Sequence, residues 1–126
     1  MSDATEFPHL ERLNEANAST GGRVTAFAWL QEIREGRTKD GRPFFDITLR
    51  DTEGVLQCKI WSDQPRALES ARGLERGCAV KVLGEVREYR GAPQMNIIRV
   101  RGIAVGEPGY DPDAVFGTGF GAIADL

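Results

Sequence analysis

Two runs of alternating side chains, Phe44–Arg50 and Val55–Trp61, flank the short segment Asp51-Thr52-Glu53-Gly54. Successive residues of a strand face opposite ways, so Phe45, Ile47 and Leu49 share one face of the first run and Leu56, Cys58 and Ile60 one face of the second. Joined by an acidic turn closing on glycine, the runs predict an antiparallel hairpin whose six apolar residues are core. The other face carries Phe44, Thr48, Arg50, Gln57, Lys59 and Trp61. A two-stranded hairpin with one apolar face is not stable alone, so the remaining chain has to cover it.

Upstream, Val24, Ala26, Ala28 and Leu30 alternate with Thr25, Phe27, Trp29 and Gln31, predicting a long first strand over 23–33 that the small alanines allow to bend. Residues 34–42 read as a polar loop in which Asp40-Gly41 favours a tight turn. After Trp61 the period changes. Ser62 or Asp63 is suited to cap, Pro65 to the first turn, and Ala67, Leu68, Ala71 and Leu74 to one face of a helix. Alternation returns over 79–89, where Gly84 among the inward valines predicts a bulge or a barrel corner. A turn at Arg90-Gly91-Ala92-Pro93 leads to a last strand over 94–105. Before all of these, Leu10 and Leu13 suggest a short helix between Pro8 and Ala18. The order describes an all-β domain: a five-stranded Greek-key OB-fold barrel with one helix between strands 3 and 4, a short N-terminal helix and a flexible C-terminal tail. The boundaries expected are 1–21 for the N-terminal segment, 22–105 for the barrel and 106–126 for the tail or linker.

Formal net charge is −3, which by itself disfavours a polyanion partner, but the charge is unevenly placed. Between Gly22 and Val105 fifteen Lys or Arg stand against eleven Asp or Glu, whereas the flanks hold one against eight. The barrel is mildly basic, and most of its cations are arginine, which suits phosphate contact and stacking. The outward face of the second and third strands then reads as a surface for single-stranded nucleic acid, with Phe44, Trp61 and Tyr89 stacking on bases. Arg37, Lys39 and Arg42 in the first loop, with Arg34, and Arg87 and Arg90 near the last loop, bracket that face and neutralise phosphates, as does Arg50 upon it. Thr48, Gln57, Lys59 and Gln94 either meet base edges and sugars or simply cover the solvent side. Phe27 and Trp29 fit core or interface better.

The segments Thr38–Phe44, Leu49–Gly54, Cys58–Trp61, Val80–Val86 and Tyr89–Met95 resemble the nucleic-acid-binding OB domain at the front of bacterial YhaM-type 3′-to-5′ exoribonucleases, with a weaker likeness to the anticodon-binding OB domains of class II tRNA synthetases. The resemblance covers about 23–105. In the exoribonuclease family this domain feeds a metal-dependent HD domain, which needs several His and Asp ligands, and the single histidine here, His9, cannot supply them. The resemblance therefore implies a binding module without its own catalytic site, metal or cofactor. Gly109–Asp113 falls where the family's linker begins, so the chain is read as an excised or degenerate front domain or a stand-alone relative.

Other chemistries lack parts. Gly117-Thr118-Gly119-Phe120-Gly121 has neither the preceding strand nor the following helix of a dinucleotide site, and no nucleophilic triad or phosphate loop with lysine is present. Cys58 and Cys78 lie in strand-like apolar contexts and read as small hydrophobes. With no apolar run near the roughly 20 residues of a membrane span, a cytoplasmic protein is expected. Its expected partner is single-stranded RNA or DNA, with a homo-oligomer or a catalytic partner chain as further partners. The competing reading is a protein-interaction or oligomerisation domain in which the same aromatics contact another subunit and the acidic flanks repel nucleic acid.

Overall fold

The computed structural model describes residues 8–16, 22–104 and 106–117. Its strands are β1 (His9–Leu10), β2 (Arg23–Arg37), β3 (Pro43–Arg50), β4 (Val55–Ile60), β5 (Ala79–Tyr89) and β6 (Ala92–Gly102); its helices are α1 (Pro65–Arg72) and α2 (Pro112–Phe116). The order β1-β2-β3-β4-β6-β5, with β2 also paired to β5, closes β2–β6 into a five-stranded barrel to which β1 is appended. The expected second and third strands are β3 and β4.

Closure depends on β2. At about 3.3 Å per residue its 15 residues span roughly 50 Å, too long for one straight partner in a domain this small. Its first half, Arg23–Trp29, pairs with β5, and its second half, from Trp29 to Arg37, pairs with β3. Trp29 is registered with both Ala79 and Arg50, and a register shift between Leu30 and Glu32 marks the bend. Val24, Ala26, Ala28 and Leu30 all point into the core. The alanines leave room for the inner side of the curve. A second shift, between Leu83 and Gly84, turns the opposite corner, as the mid-strand glycine predicts. A Cβ at Gly84 would lie 2.6 Å from the Asn96 carbonyl oxygen and 2.7 Å from Met95 Cγ, so the corner admits no side chain.

The core contains all six residues expected from the β3–β4 hairpin, together with Val80, Val82, Val86, Met95 and Ile97. Burial pushes the Cys58 thiol well above its ordinary range, which suits a packing residue. Helix α1 joins β4 to β5 and buries Ala67, Leu68 and Ala71. It begins after Gln64 without a side-chain cap, so neither Ser62 nor Asp63 caps it; Pro65, preset for helical φ, opens it instead.

Three expectations are corrected. The strand containing Arg34 and Arg37 runs through to Arg37, because Gly36 and Arg37 stay paired with Phe44 and Pro43. The loop shrinks to residues 38–42, turned by Gly41 at φ 81°. The last strand likewise starts at Ala92, because Arg90 (φ 54°) and Gly91 (φ 82°) form a two-residue turn of the kind that matches strand twist. In place of a helix over 8–18 there are β1 and a single 3-10 turn, Leu13–Glu15, while 17 and 18 lie outside the described residues. Tertiary bonds outweigh local periodicity there. β1 pairs parallel with Thr25 and Ala26, the Pro8 carbonyl accepts from Thr25 N–H at 2.8 Å, and Leu13 is buried.

The segment after β6, read from sequence as the start of a flexible tail, holds α2 against the outer face of β2. Asp111 caps it, Val115 is buried, and the Phe116 ring stacks at 6.0 Å on Trp29. Tyr110 meets Phe27 at 5.5 Å, and the Thr52 hydroxyl donates to the Ala114 carbonyl at 3.0 Å. Residues 118–126, including the glycine-rich run, lie outside the described residues.

Asp51 ties the terminal segment to the barrel. Only 5% exposed, its carboxylate accepts backbone N–H groups from Leu13 (2.8 Å), Glu53 (2.8 Å) and Gly54 (2.9 Å). Removing the acceptor strands the buried Leu13 N–H and leaves the two part-buried turn N–H groups without their partner. Asp51→Ala is expected to lower unfolding free energy by about 3 kcal/mol, read as a lower urea midpoint at unchanged denaturant slope. A midpoint within error of the parent would show that these bonds carry no stability.

Candidate nucleic-acid interface

Strand alternation delivers Phe44, Asp46, Thr48 and Arg50 of β3, and Gln57 and Lys59 of β4, to the outside of the barrel, with Trp61 just past β4. Antiparallel register sets Asp46 opposite Lys59 and Thr48 opposite Gln57. The Phe44 and Trp61 rings meet at 5.5 Å, tilted 36°. Lys59 Nζ lies 4.6 Å from the centre of the Phe44 ring and 5.2 Å from that of Trp61, within the range of cation–π attraction. The same ammonium is 2.7 Å from the Asp46 carboxylate. Its charge is therefore engaged inside the cluster and is not held out for phosphate.

Two contacts orient the rings. Trp61 Nε1 donates to Asn96 Oδ1 at 3.1 Å, made possible by the parallel pairing of β4 with β6. Phe44 lies over Gly36 of β2, where a Cβ would come within 2.7 Å of Cζ and 3.0 Å of Cε1. The bare backbone of Gly36 is the seat of that ring. Beside the cluster, Asp46, Gln57 and Lys59 face Tyr89, Ala92, Pro93 and Gln94 across a groove of about 270 Å³. Tyr89 is 52% exposed, and the Arg90 guanidinium sits 5.2 Å from its ring centre.

The structure thus brings together Phe44, Lys59, Trp61, Gln57, Tyr89 and Gln94, with Thr48 alongside, its hydroxyl 3.1 Å from Gln57 Oε1. Arg37, Lys39 and Arg42 stand beside Phe44, on or next to the β2–β3 turn. Arg37 donates to the Gly41 carbonyl at 3.0 Å, and Arg42 is 3.9 Å from Asp40. Arg87 is on β5 opposite Gln94, and its hydrogen bond to Glu85 holds that carboxyl below the usual carboxylate range. Arg50 is not part of the cluster. It sits six residues from Phe44, roughly 20 Å along the strand, and donates to Gln31 at 2.6 Å.

Sequence reasoning missed Asp46, Gly36 and Asn96. Asp46 was available from alternation, since it falls between Phe44 and Thr48 on the same face. The other two act through neighbours across the sheet, and nothing local announces them. Among the described residues no group of three or more His, Cys, Asp or Glu is placed to hold a metal ion, and no helix is long and apolar enough to cross a membrane.

Comparison with known proteins agrees with the barrel fold. The family described as OB-fold nucleic acid binding domain matches residues 24–103. The 3′-5′ exoribonuclease YhaM of Oceanobacillus iheyensis is 31% identical over 81 residues, covering 64% of this chain and 25% of that protein. The YhaM of a Geobacillus species is 32% identical over 81 residues, with 64% and 24% covered. The chain thus spans about a quarter of the length of these curated relatives. Among solved structures, asparaginyl-tRNA synthetase from Pyrococcus horikoshii superposes with TM-score 0.59 at 20% identity, over 78% of this chain and 23% of that one. The Saccharomyces cerevisiae mitochondrial single-stranded DNA binding protein Rim1 gives 0.57 at 9% identity, over 69% and 98%. A replication protein A heterotrimer bound to ssDNA gives 0.53 at 18%, over 66% and 58%. At these identities the structural likeness establishes the fold.

Because the side chain under Phe44 is missing by necessity, Gly36→Ala is expected to swing the ring away while the barrel stays folded. In the parent, ring currents from Phe44 and Trp61 are expected to shift the Lys59 ε-methylene protons upfield, because the ammonium lies 4.6 and 5.2 Å from the two ring centres. In the variant those protons return toward the free-lysine position, with circular dichroism unchanged. An unmoved Lys59 signal would show that the seat is not needed.

Proposed function

The chain belongs to the OB-fold nucleic acid binding domain family, and on that footing we propose that it holds single-stranded nucleic acid along the outer face of β3 and β4. The observation that carries this is the Phe44–Lys59–Trp61 cluster opening onto the groove beneath Tyr89. Bases stack on Phe44, Trp61 and Tyr89. A flat ring accepts any base, so this contact contributes roughly 1–3 kcal/mol per base with little sequence preference. Thr48, Gln57, Lys59 and Gln94 lie at the level of base edges and sugars. Arg37, Lys39 and Arg42 on one side, Arg87 and Arg90 on the other, meet the phosphates, and Arg50 receives the strand at the far end of the face.

The cluster explains why acidic Asp46 is compatible with a polyanion. It is neutralised by Lys59, and it fixes that lysine against the rings. Nothing in this arrangement cleaves a strand; we assign the module to binding, and any hydrolysis to a catalytic partner or further domain.

Titration of a labelled single strand, RNA and DNA separately, tests the reading. Trp61→Ala is expected to weaken binding by about 5- to 150-fold, the equivalent of one lost stack. Arg37→Ala with Lys39→Ala is expected to make the plot of log affinity against log salt shallower by about 1.4, the value for two phosphates on a single strand. Absence of binding at low salt would overturn the proposal. A stable oligomer that buries Trp61 and ignores nucleic acid would favour a protein-interaction role instead.

A further inference from the structure

A second groove, of about 390 Å³, lies on the other side of the barrel and is lined by Thr25, Lys81, Leu83, Arg99 and Arg101 of β2, β5 and β6, with Ser70 of α1 at its rim. Its cations come from two neighbouring strands in register, Lys81 opposite Arg101 and Leu83 opposite Arg99. Three basic groups, two hydroxyls and an apolar floor of Val82, Leu83 and Val100 form a surface that favours an anion. Glu107 reaches it and takes both arms of Arg101, at 2.9 and 2.6 Å. Lys81 extends over the Phe27 ring at 5.5 Å, and Arg99 donates to the neighbouring Ile98 carbonyl at 3.1 Å.

β6 connects this groove to the front one. Gln94 lines the front groove; Asn96, Ile97 and Ile98 line a middle depression with Trp61, Arg23, Asp63 and Glu85; Arg99–Arg101 line the back. From Gln94 to Arg101 the strand runs roughly 23 Å. Of the two carboxylates along the way, Glu85 is paired with Arg87 and Arg23, and Asp63 is the exposed acid beside the path.

We propose that this back groove is a second phosphate-binding site, taking the backbone of a nucleic-acid strand that continues from the β3–β4 face along β6. The inference rests on the front-face reading. Lys81 and Arg99 supply the counter-charge, the Ser70 hydroxyl lines the groove beside them, and the Thr25 hydroxyl is held by His9 Nδ1 at 2.8 Å. The bound length would then exceed what the front face accommodates, and since among the described residues no aromatic side chain lines the back groove, the contact there is with the backbone.

The test uses single strands of about 6 and about 16 nucleotides, within the range that OB domains occupy. Lys81→Gln with Arg99→Gln is expected to leave the short strand's affinity unchanged. For the long strand the salt plot should become shallower by about 1.4, with affinity falling toward that of the short one. A charge-matched control, Arg12→Gln with Arg76→Gln, should alter neither. Retained short-strand binding also shows that the variant is folded. Equal losses at both lengths, an unaffected long strand, or the same loss in the control would each overturn the back site while leaving the front one standing. Binding of an acidic peptide but not of the long strand would overturn it as well. Failure of the parent protein to bind even the short strand would instead bring down the front-face reading, and the back site with it.

Discussion

The architecture depends on one strand having two partners. β2 gives its first half to β5 and its second to β3, and the exchange happens at Trp29. Without that exchange the sheet stays open, and β5 and β6 have no reason to curl back until β6 meets β4. The parallel β4–β6 contact involves only three registered pairs, Gln57–Gln94 to Lys59–Asn96. A seam this short depends on the rest of the barrel to bring its strands together. It also builds the candidate interface, because it sets Asn96 within hydrogen-bond reach of Trp61 and Gln94 opposite Gln57. The bend in β2 and the orientation of a ring on the far side are therefore parts of one closure.

Much of this was legible in the residues. Period-two alternation is a direct consequence of extended backbone, so Phe45, Ile47, Leu49, Leu56, Cys58 and Ile60 declare their burial without any knowledge of the fold. Gly84 announced a corner because nothing larger fits a valine position that a carbonyl approaches. The first turn of the chain was not legible in the same way. Leu10 and Leu13 have helical spacing, yet the segment is too short to sustain a helix, and a parallel bridge plus the Asp51 carboxylate outweighs it. At Asp51 the sequence shows only an acidic turn closing on Gly54; that its side chain is buried and satisfies three backbone donors is decided by the fold.

The interface shows the same division. Which side chains face outward follows from β3 and β4 alone, and so do the rings and cations. What each cation does follows from its neighbours. By sequence Lys59 either meets base edges and sugars or covers the solvent side; in the fold Asp46 stands opposite and two rings lie beside it, so its charge is engaged within the cluster. Arg50 shares the face in sequence and is separated from the cluster by most of the strand's length. Pairwise register, invisible in one strand, decides between a phosphate contact and a structural one.

The flanking segments add a mechanical property. His9–Arg12 and Gly109, Asp111, Ala114 and Val115 line one small cavity with Phe27 and Asp51, so the polypeptide enters and leaves the barrel at a single pole. Tension carried through the chain runs between those two segments and the base of β2. β4, β6 and the groove between them are off that line of force. A load applied to those two segments would be taken up at that pole, turning the domain while the shape of its open face stays the same.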